Sequence, residues 1–166
     1  AVAENTFAEA ERIGCAAAET ALRALAEGEG VSEAGLSVGR EFVHIPPENE
    51  LLEVGVAMGV IKADLTDEGE FRAEVHYVRI GEHAEMVTLP GEPFPAVGLS
   101  LKSDMSAPCK FVVSLANDEI GYMMPAEHWD DELYDLERRS CVGPAAAELC
   151  EHALRRLMNA SSSSLS

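Results

Sequence analysis

Two loops of the sequence carry side chains that can bind a metal ion, and each loop follows a predicted strand. Residues 89–94 read Leu-Pro-Gly-Glu-Pro-Phe, and the glycine and prolines fix a backbone shape that presents the carboxylate of Glu92. Residues 115–122 place three polar residues between a hydrophobic strand and Tyr122. Polar residues at strand ends are held on a rigid frame, which is typical of catalytic and binding sites.

Glu92 and Tyr122 each have a structural alternative. Glu92 also stands just before a predicted helix, where a carboxylate stabilises the first turn. Tyr122 follows Gly121 at a strand end, where a tyrosine commonly packs its ring in the core and hydrogen-bonds through its hydroxyl. Gly121 would equally let Tyr122 approach a ligand closely. The residue types and spacing therefore leave both roles open for both side chains.

The other residues able to do chemistry form no complete motif. The five histidines contain no H-x-x-x-H or H-E-x-x-H arrangement, so a local zinc motif is absent from the sequence. His76 and His83 lie on a predicted hairpin, where they either meet as a second metal site or remain solvated or packed. The four cysteines form no C-x-x-C pair and read as free thiols, and no G-x-S-x-G segment marks a nucleophilic serine.

The blocks around these two loops resemble the neutral, non-lysosomal ceramidase family. The blocks that carry the resemblance are residues 78–81 (VRIG), 88–94 (TLPGEPF), 111–117 (FVVSLAN) and 120–122 (IGY). The likeness extends over most of this chain. The chain also resembles the short bacterial and archaeal relatives of that family. It covers only the C-terminal part of the family's catalytic domain.

The resemblance implies a zinc-dependent amidohydrolase that cleaves the amide of an N-acylsphingosine. In that family two histidines, a glutamate and a tyrosine hold the zinc ion, and Glu92 and Tyr122 match the last two. Tyrosine becomes a zinc ligand only where the cation lowers its pKa from about 10. The histidines belong to the family's N-terminal half. The resemblance therefore implies a site completed by that half or by another chain, with no activity from this chain alone.

A rival interpretation from another functional class is a non-catalytic α/β module that keeps the family's fold. Such a module would serve assembly or binding. Glu92 would then act as a helix cap and Tyr122 as a core residue, and removal of Glu92 would affect stability without affecting metal binding. Metal stoichiometry distinguishes the two interpretations.

The pattern of apolar residues predicts the elements that position the two loops. Thr6 and Glu9 form a T-x-x-E capping box, and the helix that they begin should end near Glu27, with a small apolar stripe packed on a sheet. Strands are predicted over residues 36–45, 71–80, 84–89 and 111–116, and further helices from residue 50, over residues 96–105 and over residues 144–158. The last of these strands is continuously apolar, which predicts a central strand covered on both faces.

This order of elements predicts a mixed α/β fold, a layered sheet with packed helices, as part of a larger α/β domain. Residues 1–160 are expected to form a single α/β segment, and residues 161–166 a disordered serine-rich tail. If the chain lacks half of a domain, apolar faces should be exposed, which favours association with a partner chain or with a second copy.

Composition excludes several classes of partner. The 166 residues include 30 acidic and 12 basic side chains, for a net charge of -18, which disfavours binding to nucleic acid or to anionic lipid. No apolar run approaches the roughly 18 residues that a membrane span requires. The first residues contain no basic segment followed by an apolar core, so no signal peptide is predicted.

Overall fold

The computed structural model of the chain describes residues 3–31 and 34–163, without the side chains of residues 162 and 163. It divides into two compact units, Ala1–Glu33 and Ala34–Ser166. The single α/β segment expected over residues 1–160 stays a prediction.

The first unit holds helix α1, Phe7–Glu27. The predicted capping box is confirmed, since the Thr6 hydroxyl accepts a hydrogen bond from the Glu9 amide at 3.2 Å. Within residues 3–31 no residue covers the apolar stripe, and Phe7 and Leu25 are both exposed. Packing of the stripe against a sheet therefore stays a prediction.

The second unit combines a four-stranded sheet with helices. Its larger elements are β1 (Leu36–Ile45), α2 (Glu50–Ala57), β2 (Phe71–Ile80), β3 (Ala84–Thr88), α3 (Pro95–Asp104), β5 (Cys109–Val113) and α5 (Ala146–Ser163). Its short elements are β4 (Glu92–Pro93), β6 (Tyr122–Met123), α4 (Asp135–Arg138) and 3-10 turns at Ala126–His128 and Glu132–Tyr134.

The sheet is mixed, with the strand order β1-β2-β3-β5. The first three strands are antiparallel, whereas β3 and β5 run parallel and are connected through α3. Antiparallel neighbours can be joined by a short turn, but parallel neighbours need a crossover, which α3 provides. Because β3 and β5 are parallel, the loops that follow them leave the sheet at the same edge.

One face of the sheet forms the core. On this face the buried residues come from the end of β1 and from β2 and β3, and the sheet packs against α3 and α5. Ile45, Val75 and Val87 from the sheet and Leu101 and Leu154 from the helices all have 0% exposure. The predicted mixed α/β fold, a sheet layered with packed helices, is confirmed.

Within residues 34–163, no layer of helices or strands covers the opposite face of the sheet. Its large exposed hydrophobic residues come from both outer strands and the end of β2: Leu36, Val38, Phe42, Ile80, Phe111 and Val113. Alternation within a strand places these side chains opposite the core residues. Among the described residues the sheet is thus packed on one face, and its open face mixes apolar side chains with polar ones such as Arg40, Arg72 and Glu74.

Three sequence-based expectations differ from the structure. Strand β5 lies at the edge of the sheet and not at its centre, because β3 is its one partner among the described strands. Helix α5 continues to Ser163, so residues 161–163 of the predicted disordered tail are helical, while residues 164–166 lie outside the described residues. The strand predicted over residues 111–116 instead begins at Cys109 and ends at Val113.

Across residues 3–31 and 34–163, no helix is both long and apolar enough to cross a bilayer.

The four cysteines are free and fall into two pairs by burial. Cys15 and Cys109 are exposed, whereas Cys141 and Cys150 are buried. Burial raises the pKa of the Cys141 thiol to about 11 and that of Cys150 to about 12, and the charges of nearby glutamates add to both shifts.

A thiol-specific reagent such as Ellman's reagent should therefore modify two cysteines of the native chain rapidly at pH 8. The two buried thiols should react only after unfolding in urea, because the thiolate is the reactive form and both are protonated at this pH. Equal reaction rates for all four thiols in the absence of urea would contradict this arrangement.

Candidate functional site

The two loops predicted to carry chemistry leave the sheet side by side. They follow β3 and β5, and backbone hydrogen bonds join them immediately after the two strands end. The amide of Leu89 donates to the carbonyl of Val113 at 2.9 Å, and the amide of Ala116 donates to the carbonyl of Leu89 at 3.0 Å. Ligands commonly bind beyond the carboxyl ends of parallel strands, where such loops meet.

Glu92 and Tyr122 are direct partners in the short parallel pair β4–β6. The amide of Glu92 donates to the carbonyl of Gly121 at 2.9 Å, and the amide of Phe94 donates to that of Met123 at 2.9 Å. Residues in register on neighbouring strands project to the same side of a sheet. The structure therefore brings together the two predicted site residues, which stand far apart in the sequence.

Two glycines permit this close approach. Gly121 has a φ of +84°, a region that favours glycine, and a Cβ atom there would overlap the carbonyl group of Ser140. A Cβ atom at Gly91 would overlap the carbonyl oxygen of Gly121. The need for glycine at position 121 thus comes from contact with the Ser140 backbone, which accepts a hydrogen bond from the Tyr122 amide at 3.2 Å.

The loop after β5 is held by a backbone hydrogen bond from the Leu115 amide to the Gly91 carbonyl at 3.0 Å and by a contact between Asn117 and His76. Leu115 and Asn117 have φ values of 51° and 70°, the only positive values among the described non-glycine residues. The side-chain amide of Asn117 lies 3.0 Å from Nδ1 of His76. Since the amide NH₂ group only donates, Nδ1 is the acceptor, and Nε2 carries the hydrogen towards Glu74 Oε1 at 3.2 Å.

A cavity of about 360 Å³ opens beside the β4–β6 pair. Its lining residues are Glu92, Pro93, Phe94, Pro95, Tyr122, Tyr134 and Glu137. Glu92 is exposed and Tyr122 is half-buried. Both predicted site residues therefore reach the same solvent-accessible space.

The structural alternatives for these two residues lack their expected contacts. Helix α3 has Phe94 as its N-cap and no side-chain capping bond, and no hydrogen bond of the described residues joins the Glu92 carboxylate to this helix. Tyr122 is not a member of the buried core. The features that would make Glu92 a cap and Tyr122 a core residue are thus not found in the described part of the chain.

Glu137 also lines the cavity, and no sequence pattern indicates this position. Its Oε2 atom is buried and has no hydrogen-bond partner, the only such side-chain atom among the residues that the structure describes. Glu137 lies in the short helix α4, Asp135–Arg138. No spacing or motif signals its burial, because that burial comes from the packing of α4 beside the cavity.

Asn49 holds the segment that carries Glu137 in place. Its Oδ1 atom caps α2 by accepting from the Leu51 amide at 3.1 Å. Its Nδ2 atom donates to the carbonyls of Arg139 and Cys141 at 3.0 and 2.7 Å. One asparagine therefore ties the start of α2 to the end of the α4 segment, next to the Ser140 carbonyl.

Aromatic rings form one wall of the cavity. The rings of Phe94 and Tyr134 pack edge to face with centroids 5.1 Å apart, and the Phe94 ring meets Tyr122 at 6.4 Å. His128 extends the series, 5.3 Å from Tyr134. The cavity thus combines aromatic rings with two carboxylates.

The side chains that line the cavity meet part of what a cation site requires. A carboxylate and a phenol from paired strands supply oxygen ligands, and Glu137 lines the same space. Within residues 3–31 and 34–163, no three His, Cys, Asp or Glu residues cluster as a metal site would need. His76 bonds to Glu74 and Asn117, so the hairpin metal site considered for His76 and His83 is not formed by the described residues.

Comparison with solved structures finds the same fold in ceramidases. A neutral ceramidase from Pseudomonas aeruginosa matches 96% of this chain with a TM-score of 0.66 and 17% sequence identity. A second structure, a ceramidase complexed with C2, matches 76% of this chain with a TM-score of 0.51 and 13% identity. This chain spans 33% and 30% of the lengths of those two proteins.

At these identities the likeness shows the fold alone. No family model matches the sequence, and no curated protein matches it. The described fold is therefore ceramidase-like.

Proposed function

We propose that this chain is a segment of a zinc-dependent amide hydrolase of the ceramidase type. In this proposal Glu92 and Tyr122 are two of the metal ligands, and an N-terminal half of the same domain or another chain supplies two histidines. The observation that carries the proposal is the direct pairing of Glu92 with Tyr122 at the mouth of one cavity.

Two further observations support this assignment. The residues that match the ceramidase motifs come together in space, and the fold likeness to solved ceramidases reaches 96% of the chain. The two ligand types also suit the chemistry. A carboxylate is an ordinary zinc ligand, and a phenol becomes one beside a strong cation.

The residues of this chain would act by holding, orienting and shielding. When bound, zinc supplies polarisation of an amide carbonyl and acidification of water. Glu92 and Tyr122 would hold that ion at the end of a rigid sheet, and the paired loops would fix their separation. Phe94 and Tyr134 would shield one side of the cavity from solvent, which strengthens electrostatic interactions within it.

The open face of the sheet supports completion by another layer. Six large hydrophobic side chains are exposed there, and sheets with apolar residues on both faces are ordinarily covered on both. A second copy of this chain would also carry a net charge of -18. Charge repulsion therefore favours a different chain or segment over self-association as the covering layer.

The proposed substrate class is an N-acyl amide. Ceramide is one member of this class, and other N-acyl amines present the same bond. The products of hydrolysis are a carboxylate and an amine.

Intact mass and zinc content of the native protein, purified without chelator, test the proposal together. We expect a co-purifying partner chain or a longer polypeptide, with close to one zinc per complex. The variants Glu92→Gln and Tyr122→Phe should lose zinc. Glu132→Gln, an exposed glutamate of the same acidic stretch, should retain it and serves as the matched control.

A lone, stable chain of 17.8 kDa without zinc would overturn the proposal. That outcome would support the alternative of a non-catalytic α/β assembly or binding module. Zinc that persists in both Glu92→Gln and Tyr122→Phe would also overturn the assignment of these two residues as ligands.

A further inference from the structure

The loop of residues 114–121 connects β5 to Tyr122. Three of its backbone amides donate to carbonyls of residues 89–91 at 2.9 to 3.0 Å, namely those of Leu115, Ala116 and Ile120. These bonds fix the two loops to each other. The positive φ values of Leu115 and Asn117 cost free energy in residues that carry a Cβ atom, so further contacts must offset that cost.

Asn117 forms the one side-chain hydrogen bond between this loop and the sheet in the described part of the chain. Its amide group donates to Nδ1 of His76, a residue of β2, at 3.0 Å. The other side-chain hydrogen bonds of this loop stay within it. Asp118 Oδ1 accepts from the Glu119 amide at 2.8 Å, and Glu119 Oε1 accepts from the Gly121 amide at 3.1 Å.

His76 is itself oriented by neighbours on the open face of the sheet. Its Nε2 atom lies 3.2 Å from Oε1 of Glu74, and the same oxygen lies 3.5 Å from Nη1 of Arg40. The backbone amide of His76 donates to the hydroxyl of Thr88 at 2.9 Å. Because the ring is held at Nε2, its Nδ1 atom presents an acceptor in a fixed place to Asn117.

We propose that His76 is a positioning residue of the proposed metal site: through Asn117 it holds residues 114–121 in the conformation that places Tyr122 beside Glu92. This inference rests on the proposed function, because it concerns how the two assigned ligands are kept together. His76 acts through the loop and is not itself a ligand. Without its contact, the loop relaxes from its positive φ values, and Tyr122 stands beside Glu92 for a smaller fraction of the time.

Amide hydrogen exchange, measured by NMR on the full chain without metal, reports the opening of this loop. His76→Phe keeps an aromatic ring and removes the acceptor. The amides of Leu115, Ala116 and Ile120 should then exchange about tenfold faster, as the loss of one hydrogen bond allows. Asn117→Gly removes the donor and tolerates the positive φ, so it should have a similar effect. The two increases should not multiply in the double variant, because both variants remove the same bond.

Two further variants separate positioning from a general effect on the fold. His44→Phe is the matched control, since His44 lies on the same open face and its ion-pair partner is Glu70, at 3.9 Å, and not the loop. It should leave exchange of the loop amides unchanged. His76→Asn keeps a side-chain oxygen acceptor close to the place of Nδ1, so it should restore most of the protection.

Loop amides that exchange at the unmodified rate in both His76→Phe and Asn117→Gly would overturn the inference. Asn117 is exposed, so its replacement tests the contact even if His76→Phe does not fold. An equal increase in exchange throughout β1 and β2 would also overturn it, because that result would show a loss of stability of the whole sheet.

Zinc titration separates this inference from the proposed function. In the native complex His76→Phe should weaken zinc binding about threefold or more, because the apparent affinity falls with the fraction of chains that keep the competent loop, and His76→Asn should restore it. Unchanged zinc affinity in His76→Phe would overturn the positioning role and leave the proposed function standing. Absence of zinc from the native protein would overturn both, and faster exchange would then show only that His76 holds the loop.

Discussion

Replacing Gly121 with alanine is expected to destabilise the second unit by about 3 kcal/mol or more. Two causes combine. The φ of +84° disfavours any residue with a Cβ atom, and that atom would overlap the carbonyl group of Ser140. The overlapping group is backbone, so it cannot move aside by rotating a side chain. The chain must shift on one side of the β4–β6 pair.

Urea denaturation followed by circular dichroism measures this free energy of unfolding. Gly98→Ala is the matched control, since Gly98 lies within α3 and a Cβ atom there meets nothing within 4 Å. In a helix interior alanine is favoured over glycine by about 0.5–1 kcal/mol, so this variant should be neutral or slightly more stable. A Gly121→Ala midpoint equal to that of the unmodified chain would contradict the contact with Ser140.

Replacing Glu85 with alanine is expected to destabilise the second unit by about 3 kcal/mol. Glu85 is 2% exposed. Its Oε1 atom accepts hydrogen bonds from the amide and hydroxyl of Ser106, the amide of Ala107 and the guanidinium of Arg79, all at 2.7 to 3.1 Å. Removing it leaves those donors unpaired and the charge of Arg79, which is largely buried, without its partner.

The same carboxylate should contribute to the loss of stability in acid. Burial alone would raise the pKa of Glu85, but the hydrogen bonds from Ser106 and Ala107 and the charge of Arg79 outweigh it, and the pKa lies below 4.5. A group whose pKa is lower in the folded state stabilises the fold above its unfolded pKa. That contribution is lost as the pH falls below about 4.5 through the folded value.

Unfolding free energies measured in urea between pH 7 and pH 3 test this account. Glu85→Gln should give a flatter pH dependence than the unmodified chain in the acid range. Glu82→Gln, a change at an exposed neighbour, should follow the unmodified chain. Parallel curves for the unmodified chain and Glu85→Gln would show that Glu85 has no shifted pKa.

The extended strands and capped helices were predictable because their signals are local. Alternation over residues 36–45 and 71–80 gave the bounds of β1 and β2, and Thr6 and Asn49 marked the starts of α1 and α2. The prediction of a central position for β5 was wrong because it relied on a continuous apolar run, which is typical of central strands. Here the strand ends at Val113 although the apolar run continues beyond it, and Leu115 already has a positive φ.

The site itself was only partly accessible from the sequence. The motifs pointed to Glu92 and Tyr122, but strands of two residues have no periodicity, so their pairing could not be predicted. Glu137 was missed for a different reason. Its burial depends on α4 and on the hydrogen bonds from Asn49, which joins segments some 90 residues apart. No local pattern encodes such a contact.

The parallel pairing of β3 with β5 has a consequence for the order of folding. The β2–β3 hairpin has a three-residue turn and forms from local contacts, whereas β5 can join β3 only after α3 has crossed over. The Glu92–Tyr122 pair needs that crossover, and Tyr122 is fixed by the backbone of Ser140. During synthesis, therefore, the two oxygen donors come together only after Ser140 has left the ribosome. A nascent chain cannot present them to a cation before its sheet is in place.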